Sequence, residues 1–169
     1  MKQKSKNDKG FRKYAIIVAA VLIIGLTVFY SYSADQARLR GYEFGNNLQM
    51  IQEDLKKIQT EFESKVTMWK ENDLSTDEFF VYSQTHFQQI DELILRYDKL
   101  STPDAFASSV KLFKLSTQTQ LESDKQLVEW IKTGDDSAKT RSDSLLQESF
   151  EYEMAALYSY NLAKGQSGT

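Results

Sequence analysis

The chain has 169 residues, and 21 Lys and Arg stand against 24 Asp and Glu, a formal net charge of -3. It contains no Cys, which excludes disulfides, a thiolate nucleophile and sulfur metal ligands. One Pro and seven Gly leave long helices uninterrupted, so the composition predicts an all-α protein with one folded domain beside a short anchor.

The first predicted element is a transmembrane helix over residues 14–32, YAIIVAAVLIIGLTVFYSY, the one long stretch without charge. At ~1.5 Å per residue it covers about 28 Å, enough for a hydrocarbon core of roughly 30 Å. A basic tail, residues 1–13, precedes it. Positive residues beside a span stay on the cytoplasmic side. They are Lys2, Lys4, Lys6, Lys9, Arg12 and Lys13. We therefore expect a single-pass protein of the cell membrane with a cytoplasmic N-terminus and an extracytoplasmic C-terminal domain.

Two alternatives involve cleavage of this segment. A secretory signal would be cut near Ser31-Tyr32-Ser33, but its apolar region would be shorter. A pilin-type leader would be cut after Gly10, which would leave Arg12 and Lys13 at the head of the apolar segment. An uncleaved anchor fits the sequence best, although cleavage stays open.

A long first helix follows, over about residues 35–71, and is expected to continue directly from the membrane. Its apolar residues are spaced by three and four, which is typical of a helix that packs in a bundle. They are Phe44, Leu48, Ile51, Leu55, Ile58, Phe62, Val66 and Trp69. Residues 33–44 are predicted to be a helical stalk. Gly41 and Gly45 weaken this helix and are interpreted as a hinge or a helix contact.

Three further helices are predicted, over about 76–100, 103–133 and 136–164. Ser75 and Glu78 match a capping box, and Thr102 before Pro103 matches the start of a third helix. Gly134 suits the left-handed residue that closes that helix, and Asp135 or Asp136 caps the fourth. Four long helices with short turns predict an antiparallel up-down four-helix bundle over residues 45–164, with a disordered tail at 165–169.

The least ordinary stretch lies in the third helix, where the apolar pattern lapses. Ser116, Thr117 and Gln120, together with Ser149 of the fourth helix, are predicted to form a polar layer. Such a layer is either a hydrogen-bonded network or the wall of a ligand pocket. His86, the only histidine, is interpreted as a boundary residue of the bundle.

No catalytic, cofactor or metal site is predicted. Residues 35–169 hold 15 Lys and Arg against 23 Asp and Glu, a difference of -8, which argues against nucleic acid. We therefore expect a non-enzymatic, membrane-anchored accessory or scaffold module that binds a protein partner or a second copy through its bundle. The alternative is a small-ligand-binding or sensory ectodomain.

Overall fold

The computed structural model describes residues 41–166, which are all-helical with four helices. The described part of α1 covers residues 41–70; α2 is Thr76–Asp98, α3 is Ala107–Thr133 and α4 is Asp136–Gln166. A short 3₁₀ helix, Asp104–Phe106, precedes α3. Residues from Glu43 onward form one compact unit, while Gly41 and Tyr42 belong to the preceding unit.

The predicted basic tail, the span at 14–32 and residues 33–40 of the predicted stalk lie outside the described residues. Of the helices that the structure describes, none combines the length and the apolar character needed to cross a membrane.

Successive helices run antiparallel, because early residues of one contact late residues of the next. The contacts that show this are Asp54–Arg96 and Trp69–Thr76 for α1 and α2, His86–Asp124 and Asp98–Lys114 for α2 and α3, and Ser116–Ser149 and Ser123–Ser142 for α3 and α4. The described part of the chain therefore alternates in direction from α1 to α4.

Three of the predicted helix ends are confirmed. At the start of α2, the Ser75 hydroxyl accepts from the Glu78 amide, and the Glu78 carboxylate accepts from the Ser75 amide. Gly134 closes α3 with a φ of 72°, and its amide donates to the Trp130 carbonyl. The Asp135 carboxylate accepts from the Ser137 amide at 2.9 Å, so Asp135 caps α4.

The other boundaries differ from the prediction. The third helix does not start at Pro103, because the 3₁₀ turn comes first and the Thr102 hydroxyl donates to the Leu100 carbonyl instead of capping an amide. This turn places Phe106 against Phe44 and Tyr160, with ring centroids 5.3 and 5.0 Å apart. Residues 165 and 166 belong to α4 and not to a disordered tail.

The apolar core follows the predicted seam of α1 and consists of two clusters. The larger cluster is centred on Leu48, Ile51 and Ile90, and the smaller one on Phe62 and Phe79. The second cluster includes Trp69, half-buried near the far end of α1. Buried polar side chains, among them His86 and Asp124, lie between the two clusters.

Small residues every seven positions hold α3 against α4. They are Ser109, Ser116 and Ser123 on α3, and Ser142, Ser149, Ala156 and Ala163 on α4, all buried. The hydroxyls of Ser116 and Ser123 donate to the main-chain carbonyls of Ser149 and Ser142, at 2.9 and 2.8 Å. A serine side chain reaches a neighbouring backbone only when the two helices lie close together. The lapse of apolar residues in α3 is thus a close-packed seam.

Candidate functional site

A cavity of about 450 Å³ lies between α1, α3 and α4. Three of the four residues predicted as a polar layer line it, namely Ser116, Gln120 and Ser149. The fourth, Thr117, is buried behind the wall, where its hydroxyl lies 3.1 Å from the Tyr97 hydroxyl. The structure therefore places the predicted layer at the base of an opening in the bundle.

A second cavity, of about 300 Å³, extends the first along α1, α3 and α4. Gln59, Glu63, Gln120 and Leu146 line both, so the two cavities form one groove, here called the α1–α4 groove. On α1 it runs from Gln49 to Lys70, about 32 Å at ~1.5 Å per residue. Along this length α1 and α4 are separated, and α3 forms the floor.

A hydrogen-bond network joins this floor to the core. Asp124 is 4% exposed, and its carboxylate accepts from His86 Nε2 at 2.9 Å, Gln59 Nε2 at 3.0 Å and Gln120 Nε2 at 3.1 Å. The Ser149 hydroxyl shares its one hydrogen between Gln120 Oε1 at 3.1 Å and the Leu146 carbonyl at 2.7 Å. One buried carboxylate thus connects side chains from all four helices.

His86 is not the boundary residue that the sequence indicated, because it is 0% exposed. Its ring stacks on Phe62 with centroids 4.1 Å apart and an interplanar angle of 13°. The buried residues of α2 show why the interpretation was wrong, since they follow alternating steps of four and three. They are Phe79, Ser83, His86, Ile90, Leu93 and Tyr97. Ser83 and His86 occupy core positions that a search for apolar residues alone passes over.

The His86–Asp124 pair has one proton arrangement at neutral histidine. A carboxylate only accepts, so Nε2 carries the hydrogen, and the buried Nδ1 keeps a lone pair without a hydrogen-bond partner. The Tyr82 hydroxyl, one helical turn earlier, is likewise buried without a partner. Burial, together with the negative charges of Glu61 and Asp124, raises the pKa of Tyr82 to about 12. Within residues 41–166, no hydroxyl is hydrogen-bonded to the histidine, so these residues do not form the contact that activates a serine nucleophile.

A second surface feature lies on the side of α4 away from α3. Five large apolar residues between positions 150 and 162 are 41–69% exposed. They are Phe150, Met154, Leu157, Tyr158 and Leu162, here called the α4 stripe. The seven-residue repeat of small side chains is the signal that identifies the packed face and leaves these residues outside.

The two glycines of the predicted hinge lie in different units. Gly41 precedes the compact unit, and a Cβ added there would meet nothing within 4 Å. A Cβ at Gly45 would lie 4.0 Å from the Tyr160 hydroxyl, an ordinary contact. Their role as a hinge or contact stays a prediction.

In the described part of the chain, no group of three His, Asp or Glu residues is placed to hold a metal ion. Comparison with protein-family models, curated proteins and solved structures finds no match to this chain.

Proposed function

We propose that this protein is a non-enzymatic, single-pass membrane module whose external helical bundle binds another protein through the α4 stripe. In this proposal residues 14–32 form the membrane anchor, and its helix continues into an antiparallel four-helix bundle outside the cytoplasm. The observation that supports it most directly is the α4 stripe itself.

The stripe differs from the other exposed apolar residues by its continuity. Val81 and Leu95 on α2 are exposed singly, which is ordinary on a protein surface. The α4 stripe has five members on successive turns of one helix. Contiguous exposed apolar patches are typical of surfaces that bind a partner.

The charges beside the stripe favour one kind of partner. Residues 147–162 contain Glu148, Glu151 and Glu153 and no Lys or Arg. Opposite charges across an interface steer association and select among partners. A helix with an apolar stripe flanked by Lys or Arg would bury the α4 stripe and meet these carboxylates, as in recognition of an amphipathic helix. We therefore assign the partner to that class.

Site-specific photocrosslinking in intact membranes tests this assignment. A photoreactive residue at Met154 of the full chain should give one crosslinked product with a different protein. The same residue at Val81, equally exposed but on α2, should give none. Met154→Arg should abolish the product formed from a photoreactive residue at Tyr158, because it places a positive charge against the basic partner.

Three results would overturn the proposal. The first is equal crosslinking at both positions, which would indicate random collision. The second is a product with the mass of two copies of this chain, which would make the stripe a surface for self-association. The third is a product that persists unchanged with Met154→Arg.

The α1–α4 groove favours a second candidate function, a small-ligand-binding or sensory ectodomain. Its larger cavity, about 450 Å³, lies within the range of roughly 300–1,000 Å³ for ligand pockets. A ligand that binds only the folded state raises its stability. A screen of metabolites against the melting temperature of the full chain tests this candidate, and a shift should disappear when Leu146→Trp fills the groove. A shift that survives that substitution would place the ligand elsewhere.

A further inference from the structure

We propose that the larger cavity of the α1–α4 groove binds an organic cation that carries primary ammonium or guanidinium groups on an aliphatic chain. This inference rests on the second candidate function and names its ligand class. Two properties of the cavity wall support it: carboxylates outnumber cations among its charged side chains, and apolar side chains line its length.

The neutral polar side chains of the wall each donate a hydrogen bond within the protein. Gln52 donates to the Tyr97 hydroxyl at 2.7 Å, and Gln59 and Gln120 donate to Asp124. The Ser116 and Ser149 hydroxyls donate to the carbonyls of Ser149 and Leu146. Gln49 and Thr60 likewise donate to Glu53 and to the Lys56 carbonyl. Because a glutamine amide carries two N–H hydrogens, each glutamine keeps one donor, so the neutral side chains do not decide the charge of the ligand.

The charged side chains of the wall are mainly carboxylates, of which Glu53 accepts a hydrogen bond from Gln49. Glu53, Glu63 and Glu153 line the cavity, and none of them belongs to an ion pair in residues 41–166. Lys56, which is exposed, is the one cation among the lining residues. Three carboxylates against one ammonium give the wall a charge of -2. A wall with this charge favours a ligand that carries positive charge and hydrogen-bond donors.

Glu153 is the carboxylate that lies deepest. It is half-buried, whereas Glu53 and Glu63 are exposed. Burial raises the pKa of Tyr97, hydrogen bonds from Thr117 and Gln52 oppose this, and the negative charge of Glu153 adds to the increase. Of the three carboxylates, Glu153 is the one least accessible to solvent. It is the expected anchor for an ammonium group.

Apolar side chains complete the wall. Leu55, Leu146 and Phe150 line the cavity between the carboxylates. Methylene groups between two cationic ends would pack on them, and the Phe150 ring could accept a cation over its face. A bare metal cation would leave this apolar surface without a contact. A neutral diol would leave the carboxylates unpaired.

Isothermal titration calorimetry of the purified full chain in detergent tests this inference, with putrescine and spermidine as probes. We expect saturable binding of one molecule. Glu153→Gln should weaken binding about tenfold or more, because it removes one charge-assisted hydrogen bond. Glu151→Gln, two residues away and outside the cavity wall, makes the same change in charge and should change affinity less than about twofold.

Glu63→Gln provides a second test if Glu153→Gln fails to fold, because the exposed Glu63 side chain makes no hydrogen bond or ion pair in the described residues. It should also weaken binding. The diol analogue of putrescine should not bind, and Mg²⁺ at equal charge should not displace putrescine.

The inference is overturned if no saturable binding occurs, if the Glu151 and Glu153 variants weaken it equally, or if Mg²⁺ or the diol competes. A melting-temperature shift caused by another class of metabolite would then preserve the second candidate function while removing this ligand class. Crosslinking at Met154 tests the α4 stripe independently of either result.

Discussion

Replacing Asp124 by Leu removes the carboxylate that joins the four helices while keeping a side chain branched at Cγ. Three donors then lose their acceptor: His86, Gln59 and Gln120. His86 is fully buried, so the loss of its hydrogen-bond acceptor costs about 1–3 kcal/mol. Gln59 and Gln120 are half-buried and line the groove, where water can replace the lost bonds, so each adds about 1 kcal/mol or less. We expect a loss of about 1–5 kcal/mol in the free energy of unfolding, whose upper end reaches the range for breaking a buried pair.

Urea unfolding of the full chain in detergent, followed by far-UV circular dichroism, measures this loss. Asp91→Asn is the control, since Asp91 is exposed and makes no ion pair in the described residues. It should change the free energy of unfolding by less than about 0.5 kcal/mol. The double variant with His86→Leu should cost less than the sum of the two single variants, because it removes both ends of the pair.

A loss from Asp124→Leu as small as that of the control would refute the role of this carboxylate. Strict additivity in the double variant would show that the cost arises without the His86 contact. The histidine also gives a direct readout, because the chain contains only one. The ¹⁵N spectrum of its ring should show a hydrogen on Nε2, and a spectrum in which Nδ1 alone carries the hydrogen would contradict the pairing.

Three further substitutions test the packing and the capping. Gly45→Ala should stabilise the bundle by about 0.5–1 kcal/mol, because a Cβ fits at 4.0 Å from its nearest neighbour, and a loss of stability in urea unfolding would indicate that Gly45 requires closer packing. Ala156→Leu should destabilise by about 1–3 kcal/mol by forcing α3 and α4 apart, whereas Ala155→Leu on the exposed side should change little in the same assay. Ser75→Ala should cost about 1 kcal/mol at neutral pH. Hydrogen bonds from the Ser75 side chain and then its backbone lower the pKa of Glu78 below 4.5, so the capping contribution is present above 4.5 and is lost as the pH falls through the lower folded pKa. Melts in acid should therefore show the wild type approaching the Ser75→Ala variant, and a gap that widens in acid would contradict this sign.

The sequence was sufficient for the helices and for one side of the site. The seam of α1 and the caps at Ser75 and Gly134 depend on local spacing and on conformations that few residues adopt. They can therefore be predicted from the sequence alone. The polar stretch around Ser116 could also be identified from the sequence, since it interrupts an apolar pattern. Its partner across the cavity was predicted only as Ser149, while the α1 wall with Gln52 and Gln59 was not foreseen. These glutamines are ordinary surface residues on a helix until the groove between α1 and α4 exists.

The burial of His86 was missed because its stabilisation is not local. A polar residue enters a core when it finds a partner there, and the partner, Asp124, lies on another helix 38 positions away. The spacing of four and three through Ser83 and His86 marks both as core positions. For predicting burial in α2, that periodicity is a better guide than the polarity of either residue.

The same reasoning separates the two faces of α4. On the inner face, a side chain larger than serine or alanine at every seventh position would push α3 away, so α4 contributes little apolar area to the core. The large apolar residues of its second half therefore cannot be explained by packing on α3. Burial against a further helix would give them the stabilisation of roughly 25 cal/mol per Å² that the residues of α1 obtain inside the bundle. Small residues inward and large apolar residues outward are thus two parts of one arrangement, which leaves the broad apolar face of α4 exposed for the partner that we propose.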